Sequence, residues 1–154
     1  HNLGYPTRAL RTKDFLYIRN FRPERWPAGD PCAIDKNGKT GAMHSAYHDI
    51  DQWPAWDFIV ANRDDREIYP YFLKAAGKRP YEELYNVSSD PGCLHNLIGN
   101  GKYTEKLNNL RKEMDKLLKK TKDTRYLDDP TQDDIWETYP RLSGAMRTFP
   151  EPLF

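Results

Sequence analysis

The chain has 154 residues, 38% of them apolar and 13% aromatic, with twelve prolines. Its 24 basic and 23 acidic side chains leave a net charge of +1, which argues against a nucleic-acid binder held by bulk charge. The aromatic content argues against disorder, and no apolar run approaches the roughly 18 residues of a membrane span.

The length suits one domain or a subdomain of something larger. The chain opens at His1 with no signal-like segment, so it is expected to be a piece of a longer protein. Thr7 to Asn20 holds two short apolar runs, Ala9-Leu10 and Phe15-Leu16-Tyr17-Ile18, around Thr12-Lys13-Asp14. Aromatic and β-branched residues flanking a polar turn predict a β-hairpin. Alternation is weak, so the burial of each face stays open. Phe21 to Gly41 carries Pro23, Pro27, Pro31, Gly38 and Gly41 and reads as a long loop. Long loops inside compact domains are functional or disordered, and Trp26 favours an ordered one.

Pro54 opens a predicted helix to Ala61, placed where its missing N–H is harmless. Ile68 to Ala76 is a second predicted helix, stopped by Gly77 and Pro80. Glu82 to Val87 reads as a strand, and Ser88 to Gly92 as a tight turn. Tyr103, Leu107, Leu110, Met114, Leu117 and Leu118 fall on one helical face, predicting a helix over Tyr103–Lys120. Lys119, Lys120 and Lys122 suit the negative end of its dipole. Asp123 to Phe154, with four prolines, reads as a tail wrapping a surface. The fold class expected is α+β: a small antiparallel sheet of three or four strands against a long C-terminal helix, with long loops.

Several groups carry possible chemistry. His44 and His48, four apart, with Asp49 and Asp51, have metal-ligand residue types. They lack the Glu of H-E-x-x-H, and an ordered polar loop or a substrate-facing loop fits the same residues. Asp64-Asp65, Asp128-Asp129 and Asp133-Asp134 lack calcium-loop spacing and read as turn and helix-start carboxylates. Arg8, Arg11, Lys13, Arg19, Arg22 and Arg25 give a basic bias that suits either an anionic glycan or a solvated strand face. Cys32 and Cys93 form no C-x-x-C pair and read as unpaired thiols. Asn86-Val87-Ser88 is an N-x-S sequon.

The combined pattern resembles the C-terminal subdomain of sulfatases. Arg8 to Asn20 is similar to its first hairpin. Arg22 to Pro31, and Asp49-Ile50-Asp51 followed by Pro54, resemble the branch related to heparan N-sulfatase, especially its bacterial members. Arg79-Pro80, Glu82-Glu83-Leu84-Tyr85-Asn86-Val87, Asp90-Pro91 and Asn96-Leu97 match the sulfatase pattern R-P-x-E-E-L-Y-D-L-x-x-D-P-x-E-x-x-N-L. The resemblance covers residues 3 to 125, with Asn86 in place of the usual Asp and Cys93-Leu94-His95 in place of an acidic stretch.

Sulfatases use a formylglycine made within C/S-x-P-S-R, and a calcium that neutralises the sulfate. Neither Cys32 nor Cys93 lies in that motif. The resemblance therefore implies that nucleophile and calcium belong to an N-terminal catalytic α/β domain outside this chain, which would be the chain's partner. The expected organisation is a subdomain over 1–125 and a tail over 126–154. Its implied role is to cap the active-site cleft of a hydrolase acting on sulfate esters or N-sulfate groups of sugars, N-sulfoglucosamine included. The isolated chain is then inactive, and the protein exported. Arg8, His48, Asp49 and Asp51 are the expected substrate wall, with His1 near it. A stand-alone carbohydrate-binding or interaction module is the alternative.

Overall fold

The computed structural model describes residues 5–29, 31–33, 35, 37, 39–47, 49–51 and 53–123. The expected tail over 126–154, together with His1 and His48, lies outside the described residues. The chain divides into two compact units. The described residues of one are 6–23 and 80–123, and those of the other are 5 and the described positions within 24–79.

The first unit is the predicted α+β layer. Strands β1 (Thr7–Arg11), β2 (Phe15–Asn20) and β3 (Glu82–Asn86) form an antiparallel sheet in that order. Leu10 faces Tyr17, and Tyr17 faces Leu84, across the register. The hairpin turn is closed by Thr12, whose backbone N–H donates to the Phe15 carbonyl at 2.8 Å. Helix α3 (Thr104–Thr121) buries Leu107, Leu110, Met114 and Leu118 against Tyr17 and Leu84. Phe15 meets Tyr103 edge-on at 5.9 Å and closes one end of this core.

Leu117 corrects the predicted stripe: it is 39% exposed. Successive helical residues point about 100° apart, and Leu118 takes the core-facing position. The weak alternation of the strands also has a cause. In β2, Tyr17 and Arg19 are buried on one face and Asn20 on the other. A strand covered on both sides loses the apolar–polar period of a half-solvated one.

Where a fourth strand was possible, the open edge of β3 is occupied by Asn96-Leu97. Asn96 Oδ1 accepts from the Leu84 N–H at 3.0 Å, and the Leu97 N–H donates to the Leu84 carbonyl at 2.8 Å. Two residues satisfy an edge that otherwise offers unpaired backbone groups.

The second unit holds helices α1 (Pro54–Ala61) and α2 (Tyr69–Ala76) under the long loop. Pro54 sits in the first turn of α1, as its fixed φ favours. Asp65 Oδ1 accepts from the Glu67 and Ile68 N–H groups and closes the turn ahead of α2. Gly77 ends α2 for a reason other than the left-handed cap. Its φ is −64°, and a Cβ there would lie 2.7 Å from the Leu73 carbonyl oxygen. The unit's core is Ala28, Tyr47, Phe72 and Ala76, with Ile50, Trp56, Ile59 and Val60 packed on it. The Asp49 N–H donates to the Ala28 carbonyl at 3.1 Å, pinning the loop to itself.

Candidate functional site

In the second unit the loop and α1 enclose a cavity of about 210 Å³, lined by His44, Ser45, Ala46, Tyr47, Ile50, Trp56, Asp57, Val60 and Ala61. Its walls follow from local chemistry. Trp56 and Asp57 come from the first turn of α1, whose exit from the loop is set by Pro54. The loop side is set by an aromatic cluster. Tyr47 meets Trp56 edge-on at 5.1 Å, and Trp56 stacks on Phe72 at 6.4 Å. His44 stands edge-on to Phe72 at 5.3 Å and to Trp26 at 6.5 Å.

His44 has a φ of 65°, the left-handed region that side chains seldom adopt. Such a conformation persists where the surroundings hold it. Here the ring is held by its Nδ1, 2.7 Å from the Tyr47 hydroxyl and hydrogen-bonded to it. Burial pulls the imidazole pKa below its ordinary 6.5, and the Arg63 cation adds to this against the pull of Asp64. The ring is therefore neutral at pH 7, with one donor and one acceptor nitrogen. Burial pushes the Tyr47 hydroxyl up to about 12, so it stays protonated. Ser45 is occupied: its Oγ donates to the Ala42 carbonyl at 2.5 Å and accepts from the Ala33 N–H at 2.9 Å. Asp57 is exposed and supplies the one formal charge among the described lining residues.

Of the expected wall, Asp49 and Asp51 lie in this unit, Asp49 half-buried and Asp51 exposed. Arg8 belongs to the other unit. Its Nε donates to Asp123 Oδ2 at 2.6 Å and its Nη2 to Asp123 Oδ1 at 3.1 Å, a two-point pair that ties β1 to the end of α3. Arg19 is buried and donates to Asp115 at 2.6 Å. Part of the basic bias is thus internal pairing, an outcome that neither the glycan-facing nor the solvated reading included. Among the described residues no group of three or more His, Cys, Asp or Glu is placed to hold a metal ion. Neither cysteine forms a disulfide among the described residues, with Cys32 buried and Cys93 half-buried.

The motif residues have structural work. Glu82 accepts from Arg111 Nε at 2.8 Å and from the Tyr17 hydroxyl, joining the sheet to α3. Glu83 accepts from Asn20 Nδ2 at 2.9 Å and from the Tyr85 hydroxyl. Arg79 Nη1 donates to the Leu73 carbonyl at 3.3 Å and Nη2 to that of Lys74. Asp90 accepts from the Leu94 and His95 N–H groups. Asn86, standing where Asp is usual, still accepts from the Ser88 and Ser89 N–H groups, so the turn survives the exchange. Sequence reasoning did not single out Trp56, Asp57 or Tyr47. Trp56 and Asp57 stand on a helix apart from the loop that carries His44 and Tyr47, which hides the cavity, and only the Pro-bounded aromatic loop hinted at it.

The chain is 34% identical over 111 residues to an ulvan-active sulfatase of Formosa agariphila, a match that covers 72% of this chain. The chain spans 16% of that relative's length. No family model matches the chain. No solved structure matches it at comparable significance. The region is related to part of a sulfatase.

Proposed function

We propose that this chain is the C-terminal part of a sulfatase that releases sulfate from sulfated sugars, as sulfate esters or as N-sulfate groups such as that of N-sulfoglucosamine. The likeness to the ulvan-active sulfatase carries this reading. The scaffold role of the R-P-x-E-E-L-Y residues supports it, since the resemblance gives them a place outside the catalytic domain. In this reading the chain caps the cleft of a catalytic domain that supplies the formylglycine and binds calcium, and the protein is exported.

Exposed aromatics on α2 and on or just before α1 favour a docked partner domain: Trp53, Phe58, Tyr69 and Tyr71 are between 48% and 66% exposed. In this reading the substrate wall is Asp49 and Asp51 with His48 and His1, and Arg8, paired with Asp123, is left out of it. The test expresses this chain alone and within its full-length protein, then measures sulfate release with calcium from ulvan, N-sulfoglucosamine and an aryl sulfate. The full-length protein should release sulfate from at least one and the isolated chain from none. Turnover by the isolated chain, or no release by the full-length protein, overturns the reading. The substrate that responds decides between the ester and the N-sulfate.

A further inference from the structure

We propose that the cavity between His44 and Trp56 is a subsite for one uncharged, unsulfated sugar ring of the glycan. The proposal rests on reading the chain as part of a glycan sulfatase and adds which part of the glycan this region grips. Size sets the first limit. About 210 Å³ lies below the roughly 300–1,000 Å³ of pockets for drug-sized ligands, so the occupant is a single ring.

Lining chemistry sets the second. Trp56, Tyr47, Ile50 and Val60 offer apolar and aromatic surface to the C–H face of a pyranose. Asp57 and His44 offer hydrogen bonds to its rim. An ionised carboxylate only accepts, so it selects groups that donate, as hydroxyls do. A sulfate only accepts and carries charge. Facing Asp57, with no Lys or Arg among the described lining residues, it would meet repulsion there, while the nearby Arg63 has its Nη1 bonded to the Val60 carbonyl at 2.9 Å.

His44 is suited to the same ligand. Its Nδ1 is engaged by Tyr47, which leaves Nε2 as the ring's other hydrogen-bonding atom. A neutral imidazole there matches a hydroxyl, which both donates and accepts. The left-handed backbone of His44 and the edge contact with Phe72 fix the ring before any ligand arrives. That is the preorganisation a specific subsite needs. Discrimination would then be divided: the sulfated ring is recognised by the catalytic domain, and its unsulfated neighbour by this cavity.

The test titrates the ¹⁵N-labelled 154-residue chain with glucose, galactose, xylose, rhamnose and N-acetylglucosamine, and with glucose 6-sulfate and galactose 6-sulfate. Shifts in the Trp56 indole N–H and the amides of His44, Tyr47 and Asp57 report occupancy. At least one neutral sugar should shift these signals, and its sulfated counterpart should bind about 10-fold more weakly or not at all. Asp57→Ala should weaken the neutral sugar about 10-fold, the usual consequence of losing one charge-assisted hydrogen bond. Asp57→Asn, at an exposed position that leaves the fold alone, should narrow the gap between neutral and sulfated sugar. No shift with any neutral sugar, equal binding of the sulfated ones, or unchanged binding in both variants overturns the subsite. Sulfate release by the full-length protein is a separate measurement. Ring binding without sulfate release would remove the sulfatase reading and leave a carbohydrate-binding module.

Discussion

Lys122 ends α3 in the left-handed conformation, with φ 52° and ψ 42°, while the Asp123 N–H donates back to the Leu118 carbonyl at 2.9 Å. This closing turn is one that glycine serves best. A residue with a Cβ gives up roughly 1–2 kcal/mol there, and glycine recovers it less about 0.5–1 kcal/mol of extra chain entropy. Lys122→Gly should therefore stabilise the fold by about 0.5–1 kcal/mol in a urea titration, with no change in the slope. An unchanged midpoint would mean that the helix end frays in solution. Asp49 and Asp51 raise a different question, since their proposed partner is a sugar. In the full-length protein, Asp49→Ala and Asp51→Ala should lower kcat/KM on the responding glycan about 10- to 150-fold, the loss of one charged hydrogen bond each. A small aryl sulfate should be affected much less. Equal losses on both substrates would assign the pair to the fold.

Among the elements, α3 carries the core of its unit, and its two leucine classes separate cleanly. Leu110 is 3% exposed in the core, and Leu117 is 39% exposed at the flank. Leu110→Ala should cost about 2–5 kcal/mol, because a cavity remains where the side chain packed. Leu117→Ala should stay within about 0.5 kcal/mol, as surface exchanges do. Thermal unfolding of both variants checks this, and similar losses would place Leu117 under cover in solution. Between sheet and helix, the Arg111–Glu82 pair does more than hold two charges. Glu82 also accepts from the Tyr17 hydroxyl, so one carboxylate joins β2, β3 and α3. Glu82→Gln should cost about 1.5–3 kcal/mol, chiefly by leaving the guanidinium without its counter-charge.

The molecule as a whole should respond to pH in steps that differ between its two units. In the cavity-bearing unit, burial and Arg63 hold the His44 pKa below 6.5. The unfolded chain then binds that proton more tightly, so stability is complete above pH 6.5 and declines below it, down to the folded pKa. In the sheet unit, the Arg111 bond holds the Glu82 carboxyl below its ordinary 4.5, and the Leu94 and His95 N–H groups hold Asp90 below 3.8. Their contributions are full above those values and are lost as pH falls through the folded ones. Acidification should therefore change the fluorescence of Trp26, Trp53 and Trp56, all in the cavity-bearing unit, at a higher pH than it changes the circular dichroism of α3. At alkaline pH the sign reverses. Burial and its bond to Glu82 push the Tyr17 hydroxyl up to about 12 from 10.0. Its stabilisation is full below pH 10 and is lost as pH rises towards 12. Coincident acid transitions in the two signals would show that the units unfold as one.

What the sequence by itself determined were features written within a few residues of each other. The hairpin around Thr12-Lys13-Asp14, the start of α1 at Pro54 and the stripe of α3 all appear where local pattern placed them. So do the turn uses of Asp65 and Asp90, because an Asx side chain meets N–H groups only two to five positions away. The fold class followed from those pieces. What the tertiary structure alone decided are the meetings of residues far apart in the chain. Arg8 finds Asp123 across 115 positions and Arg19 finds Asp115 across 96, turning two candidate anion binders into internal pairs. The cavity, too, needs His44 from the loop and Trp56 and Asp57 from a helix. Periodicity and propensity act along the chain, whereas charge partners and concave surfaces depend on which distant segments the buried apolar contacts bring together.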